Sequence, residues 1–146
     1  MIQFEVIGEP RPRQSVRSRV VARPGGKPFA MHYQPGNSPA AQWVAHIRAT
    51  VAQVVQAPLT GPLCMTLIFY LHRPKSRPKR ELWPDRKPDL DNLTKPFLDA
   101  LQGVVFGNDS QIVRMVVEKH YSDRPRAEVK IGNEGIVDMA LSREGK

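Results

Sequence analysis

Residues 63–71 read Leu-Cys-Met-Thr-Leu-Ile-Phe-Tyr-Leu, an almost wholly apolar run between Gly61-Pro62 and a proline-rich basic segment. The run is far too short to cross a membrane as a helix. Its continuous apolarity predicts a central strand buried on both faces, with Cys64 inside it as a small core residue. Upstream, Trp43, Val44, Ile47, Val51, Val54 and Val55 recur at helical spacing up to Ala57-Pro58. Ser38 and Pro39 read as the N-cap and first position of that helix. Further upstream, Ile2, Phe4 and Val6 alternate with polar residues, the pattern of a half-buried strand.

Downstream, Leu90, Leu93, Phe97 and Leu101 fall on one face of a second helix. Pro96 is comfortable only in a first turn, so this helix starts late or is kinked. Phe106 to Ser110 reads as a turn, Gln111 to Tyr121 as a strand, Ser122 to Pro125 as a hairpin turn, and Ala127, Val129 and Ile131 as the returning strand. The tail from Gly132 is polar apart from Ile136 to Leu141 and reads as a short helix or a loosely ordered segment. The expected architecture is β-loop-α-β-loop-α-β-β. That is one α+β domain over residues 1–146, a mixed or antiparallel sheet packed by two helices.

The chain is basic, with 22 Lys and Arg against 14 Asp and Glu and a net charge of +8. Such a surplus points to a polyanionic partner. It is concentrated in two segments that also hold seven of the prolines, so both read as basic loops or arms. The first carries Arg11, Arg13, Arg17, Arg19, Arg23 and Lys27. The second carries Arg73, Lys75, Arg77, Lys79, Arg80, Arg86 and Lys87. The lone Cys64 excludes an internal disulfide and a multi-thiolate zinc site, and fits a reducing cytoplasm. Met1 to Glu9 does not have the pattern of a secretory signal. The four histidines show no ligand spacing, and no phosphate-binding P-loop is present.

Against this positive background, Lys87-Pro88-Asp89-Leu90-Asp91-Asn92 gathers acids, with Lys95 one helical turn on and Asp109 beyond the helix. Asp89 and Asp91 share a side if the segment is extended. Asp91, Lys95 and Asp99 follow one helical face, and Asp109 is expected to return to the same end of the domain. Converging carboxylates repel, and a divalent cation relieves that repulsion. Oxygen donors without His or Cys suit Mg²⁺ or Mn²⁺. Acids that hold a metal inside a polyanion-binding surface point to a metal-dependent nuclease. Each residue also has an ordinary reading: Asp89 or Asp91 as an N-cap, Asp91 and Lys95 as an i,i+4 pair, Asp99 as a solvated helix residue and Asp109 as a turn residue.

The set Asp89-Leu90-Asp91-Asn92-Leu93, Lys95, Asp99-Ala100-Leu101 and Asn108-Asp109-Ser110-Gln111-Ile112 closely resembles the RusA family of Holliday junction resolvases, often carried by phages and prophages. Gly8-Glu9-Pro10-Arg11-Pro12-Arg13 resembles that family's N-terminal region. The resemblance implies a homodimeric, Mg²⁺- or Mn²⁺-dependent endonuclease that nicks four-way DNA junctions symmetrically in recombination and repair. By position, it implies metal-binding catalytic acids at Asp89, Asp91 and Asp109 and a catalytic lysine at Lys95. Asn108, where an acid is expected in some relatives, and Pro96 depart from the pattern. The basic arms would grip phosphate. Trp83, within the second arm, would stack on an unpaired base or pack over the domain's own surface. Two other classes fit the charge: a junction- or nucleic-acid-binding protein that does not cut, and an RNA-binding or ribosome-associated protein.

Overall fold

The computed structural model describes residues 1–13, 17–22, 24–33 and 38–144. In chain order these form β1 (Ile2–Ile7), β2 (Arg17–Val21), β3 (Phe29–Tyr33), α1 (Pro39–Ala52), β4 (Leu63–Leu71), α2 (Leu90–Leu101), a 3₁₀ turn (Asp109–Gln111), β5 (Ile112–Tyr121), β6 (Arg126–Gly132) and α3 (Glu134–Glu144). The class is α+β as expected, but with three helices. The polar tail is a helix, and Met1's ammonium group pairs with Glu134 at its start. The first basic arm also differs from the loop expected: β2 and β3 pair antiparallel as a ribbon, with Pro24 and Gly25 in its turn. The prolines of that arm fall outside the two strands, so they do not interrupt the pairing.

The main sheet has the order β1-β6-β4-β5, antiparallel except for the parallel pair β4 and β5. Residues 122–125 are therefore not a hairpin turn. They cross the end of β4, where Ser122 N–H bonds to the Leu71 carbonyl at 2.8 Å, and deliver β6 to the far side of that strand. Four residues span the roughly 10 Å between strands that flank a common neighbour. Between the parallel strands run the second basic arm and α2, a β-α-β unit.

β4 is interior but not buried on both faces. Leu63, Met65, Leu67, Phe69 and Leu71 are buried, while Cys64, Thr66, Ile68 and Tyr70 are half-buried. α1 and α2 cover the first face. α3 reaches the other at the Cys64 end, where Cys64 Sγ lies 3.7 Å from Met139 Sδ. The apolar run thus serves two unequal layers. Phe97 of α2 packs edge-on against Phe69 of β4 at 5.6 Å and against Trp43 of α1 at 5.9 Å, fixing α2 on the sheet.

α1 begins as expected: Ser38 Oγ accepts the Ala41 N–H at 3.1 Å and Pro39 opens the helix. It ends at Ala52, short of Val54 and Val55, whose N–H groups close a final turn on the Val51 carbonyl. β1 ends at Gly8, whose φ of +134° is open to glycine alone and whose Cβ position lies 3.4 Å from the Trp43 ring. The first arm leaves the sheet there, over the start of the core.

Candidate active site

The N-terminus of α2 carries the two neighbouring acids. Asp89 occupies the N-cap with extended backbone, and its carbonyl accepts the Leu93 N–H at 3.1 Å, but its side chain makes no capping hydrogen bond. Asp91, two residues on in the first turn, accepts its neighbour Asn92's N–H on Oδ1 at 2.9 Å. Both are exposed, and the positive end of the helix favours both carboxylates. Asp89 therefore holds the capping position without using its side chain to cap. Burial of Leu93, Phe97 and Leu101 sets the rotation of the helix that presents them.

The segment entering α2 is braced from beneath by Lys119 of β5. Its Nζ donates to the Arg86 carbonyl at 2.7 Å and the Pro88 carbonyl at 2.9 Å. The sequence reading passed over this residue. Its signal lay in the strand's alternation, because Lys119 pairs in register with buried Phe69 and so points to the core face. A lysine there must find acceptors, and it finds the backbone beside Asp89.

Between this segment and the first arm lies a groove of about 460 Å³ lined by Glu9 to Arg13, Lys87 to Asp89 and Asn92. Two contacts set its far wall. Glu9 accepts the His72 N–H on both carboxylate oxygens, at 3.3 and 3.2 Å, tying the roots of the two arms together. Arg13 N–H bonds to the Asn92 carbonyl at 2.6 Å. That carbonyl is available because its helical partner is Pro96, which has no N–H. Pro96 is buried inside α2 rather than in its first turn, so the helix does not start late; the acceptor it releases docks the first arm.

Lys95 pairs with Asp99 at 3.0 Å, not with Asp91. The pair is half exposed, and such bridges are worth about 0.2–1 kcal/mol, so it is easily exchanged for another anion. Asp109 does not return to the acids of α2. Its N–H bonds at 3.4 Å to Gln102, the residue that closes the opposite end of that helix. A helix of this length spans about 18 Å. β5 runs from the Asp109 end to the Lys119 end, so a second path also sets the two ends well apart. Among the described residues no three His, Cys, Asp or Glu side chains are grouped to hold a metal ion. The convergence expected of Asp89, Asp91 and Asp109 is thus not made within this chain, because helix and strand hold the acids at opposite ends.

Asn108 has a structural use. Its side chain accepts the Ser110 N–H at 2.9 Å, and Gln111 Oε1 takes the N–H groups of Gly107 and Asn108 in return. Gln111 Nε2 also donates to the Leu59 and Gly61 carbonyls, at 3.2 and 3.1 Å, fastening Asp109's turn to the loop before β4.

Not every basic residue of the arms faces solvent. Arg73 donates two hydrogen bonds to the Glu81 carbonyl and lies over the Tyr121 ring, and Arg77 pairs with Glu81 at 3.6 Å. Both stiffen the second arm from within, so its exposed charges are Lys75, Lys79, Arg80, Arg86 and Lys87, with Arg11, Arg13 and Lys27 exposed on the first. Arg17 and Arg19 belong to β2, with their side chains outside what is described, and Arg23 lies outside the described residues. The arm itself is anchored by the Tyr121 N–H, which bonds to the Leu82 carbonyl at 3.0 Å along the outer edge of β5. His46 Nε2 lies 2.7 Å from the Ile7 carbonyl and His120 pairs with Glu118, structural uses for both.

An exposed carboxylate pair thus stands at the start of α2, beside a groove walled by the roots of the two basic arms. The chain belongs to the RusA family: the model for "Endodeoxyribonuclease RusA" matches residues 7–132. Membership brings endodeoxyribonuclease activity and branched DNA as its substrate class. The chain is also 35% identical over 145 residues to "Uncharacterized protein YqaN" of Bacillus subtilis (strain 168), covering 89% of this chain and 94% of that protein. No helix among the described residues is long and apolar enough to cross a membrane.

Proposed function

We propose that this chain is a divalent-metal-dependent endonuclease that resolves Holliday junctions by paired nicks during recombination and repair of cellular or prophage DNA. It acts in the cytoplasm as a homodimer of single-domain protomers. The observation that carries the reading is the exposed Asp89 and Asp91 pair beside a groove bearing Arg11, Arg13 and Lys87. Two carboxylates without His or Cys fit Mg²⁺ or Mn²⁺, since Mg²⁺ takes one or two carboxylates and completes its shell with water and phosphate. Such an ion, when bound, supplies Lewis acidity and a more acidic water. The chain's own residues do the rest. Arg11, Arg13 and Lys87 draw the phosphodiester into the groove, and Lys95 exchanges Asp99 for a phosphate oxygen and steadies the charge that develops there. Asp109, a helix length away, joins the site from the second protomer. A two-fold dimer then presents two such sites to the two-fold junction.

The second reading, a junction-binding protein that does not cut, draws on the separation of Asp109 from the other two acids. One assay decides between them: a labelled synthetic four-way junction incubated with Mg²⁺ or Mn²⁺. Paired nicks are expected, lost in chelator and in both Asp91→Asn and Asp109→Asn. Mixing and re-equilibrating the two inactive variants restores about a quarter of the intact sites, all in mixed dimers. Cleavage by Asp91→Asn at the wild-type rate removes the mechanism, and mixtures that stay inactive remove the shared site.

A further inference from the structure

Trp83 has one of the more exposed large apolar side chains in the protein, 63% accessible, yet it is held in place. Leu82 before it is pinned to the edge of β5, Pro84 after it is buried, and its carbonyl accepts the Asp85 N–H at 3.1 Å. Its ring lies 4.7 Å from that of His120. His120 in turn stacks on Tyr70, at 5.5 Å and 24° between planes, and the Arg126 guanidinium sits 3.8 Å over Tyr70. Glu118 fixes His120 through Nε2 at 3.0 Å. A ladder of three flat groups thus backs the indole from the outer face of the sheet.

In front of the indole is a hollow of about 330 Å³ lined by Trp83, Pro84, Asp85, Leu90, Glu118 and Lys119. Leu90 is the first residue of α2 and stands between Asp89 and Asp91 in the chain. The hollow therefore lies at the same end of α2 as the carboxylate pair, and it combines apolar walls with the carboxylates of Asp85 and Glu118 and the Lys119 cation. Exposed Arg86 and Lys87 lie just along the same arm, so whatever enters is accompanied by negative charge.

We infer that this hollow is a nucleobase site: Trp83 stacks an unpaired base of the strand whose phosphate lies at Asp89 and Asp91. Every base offers a flat π-face, and stacking on an aromatic side chain is sequence-tolerant. A base inside a duplex presents only its edges, whereas a base at a branch point is free to turn out. The site thereby reads branching rather than sequence and couples that reading to the cutting groove. The inference rests on the nuclease function proposed above and deepens it.

Trp43, the other tryptophan, is buried, so the exposed component of the emission reports Trp83. Binding without metal of a junction bearing unpaired bases is expected to quench that component several times more than a paired duplex of equal length. Trp83→Leu is expected to lose the differential quenching and to bind the junction about ten-fold more weakly, as loss of one stacked base requires, with duplex affinity and melting temperature held. Trp83→Phe restores junction affinity. Equal quenching by duplex and junction, or wild-type junction affinity in Trp83→Leu, overturns the inference. So does quenching that grows with protein concentration in the absence of DNA, which would assign the indole to a second copy of the chain. Quenching that persists in a protein unable to nick leaves the base site standing and rejects the nuclease reading alone.

Discussion

Replacing Pro96 by alanine tests whether a helix defect is what docks the first arm. A proline inside a helix costs about 3 kcal/mol relative to alanine. The substitution recovers most of that, and residue 96 regains an N–H that bonds to the Asn92 carbonyl. Against this stand the buried ring carbons, worth about 0.8 kcal/mol per methylene, so a net gain of about 1 kcal/mol remains. For a chain of this size that raises the melting temperature by about 2–4 °C. The arm moves the other way. Arg13 N–H now shares an acceptor that it held alone at 2.6 Å, and loses about 0.5–1.5 kcal/mol, up to ten-fold in local protection. The assays are a thermal melt and amide hydrogen exchange at Arg13. A more stable protein with a less protected Arg13 and weaker junction binding is expected. A lower melting temperature with Arg13 protection unchanged would refute the reasoning, since the proline would then matter for packing alone.

Two further outcomes follow from side chains described above. Lys119→Met keeps the aliphatic stem but removes two charge-assisted hydrogen bonds. It should cost about 1–3 kcal/mol of stability and reduce nicking, while leaving the salt dependence of DNA binding unchanged because that charge is used internally; Lys87→Met should lower the salt slope by about 0.9 instead. Burial, then the neighbouring Glu128 carboxylate, raises the Tyr70 hydroxyl pKa above its ordinary 10.0. The folded state therefore keeps that proton longer than the unfolded chain does. Its contribution is complete below about pH 10 and is lost as pH rises through the folded value, so melts from pH 8 to 11 should show a decline that Tyr70→Phe flattens.

Much of this fold was legible because local pattern and burial agreed. Ser38 and Pro39 announced α1, and Leu93, Phe97 and Leu101 announced the buried face of α2. The failures share a cause: each concerned which neighbour an element would take. Ser122 to Pro125 is turn-forming wherever β6 goes, so local chemistry could not reveal that β6 crosses β4. The apolarity of residues 63–71 could not reveal that only one end of the outer face would gain a helix. At the candidate site, the motif singled out the acids and the lysine, but the sequence positions Asp109 only along the chain. The rigid length of α2 decides where it stands in space. Lys119 and the Pro96–Asn92–Arg13 link escaped notice because both work through backbone carbonyls, which no residue type advertises.

The pairing of β1 has a consequence for the chain's synthesis. Among the described residues its one partner strand is β6, with Ile2 opposite Ile131. A ribosome extending the polypeptide at about 5–20 residues per second leaves the first strand idle until nearly all of the rest has been made. Until then the segment after Gly8 hangs from a strand that has no sheet partner, held only by its contacts with α1, α2 and the second arm. The groove wall beside Asp89 is accordingly fixed to the sheet last, with the closing strand.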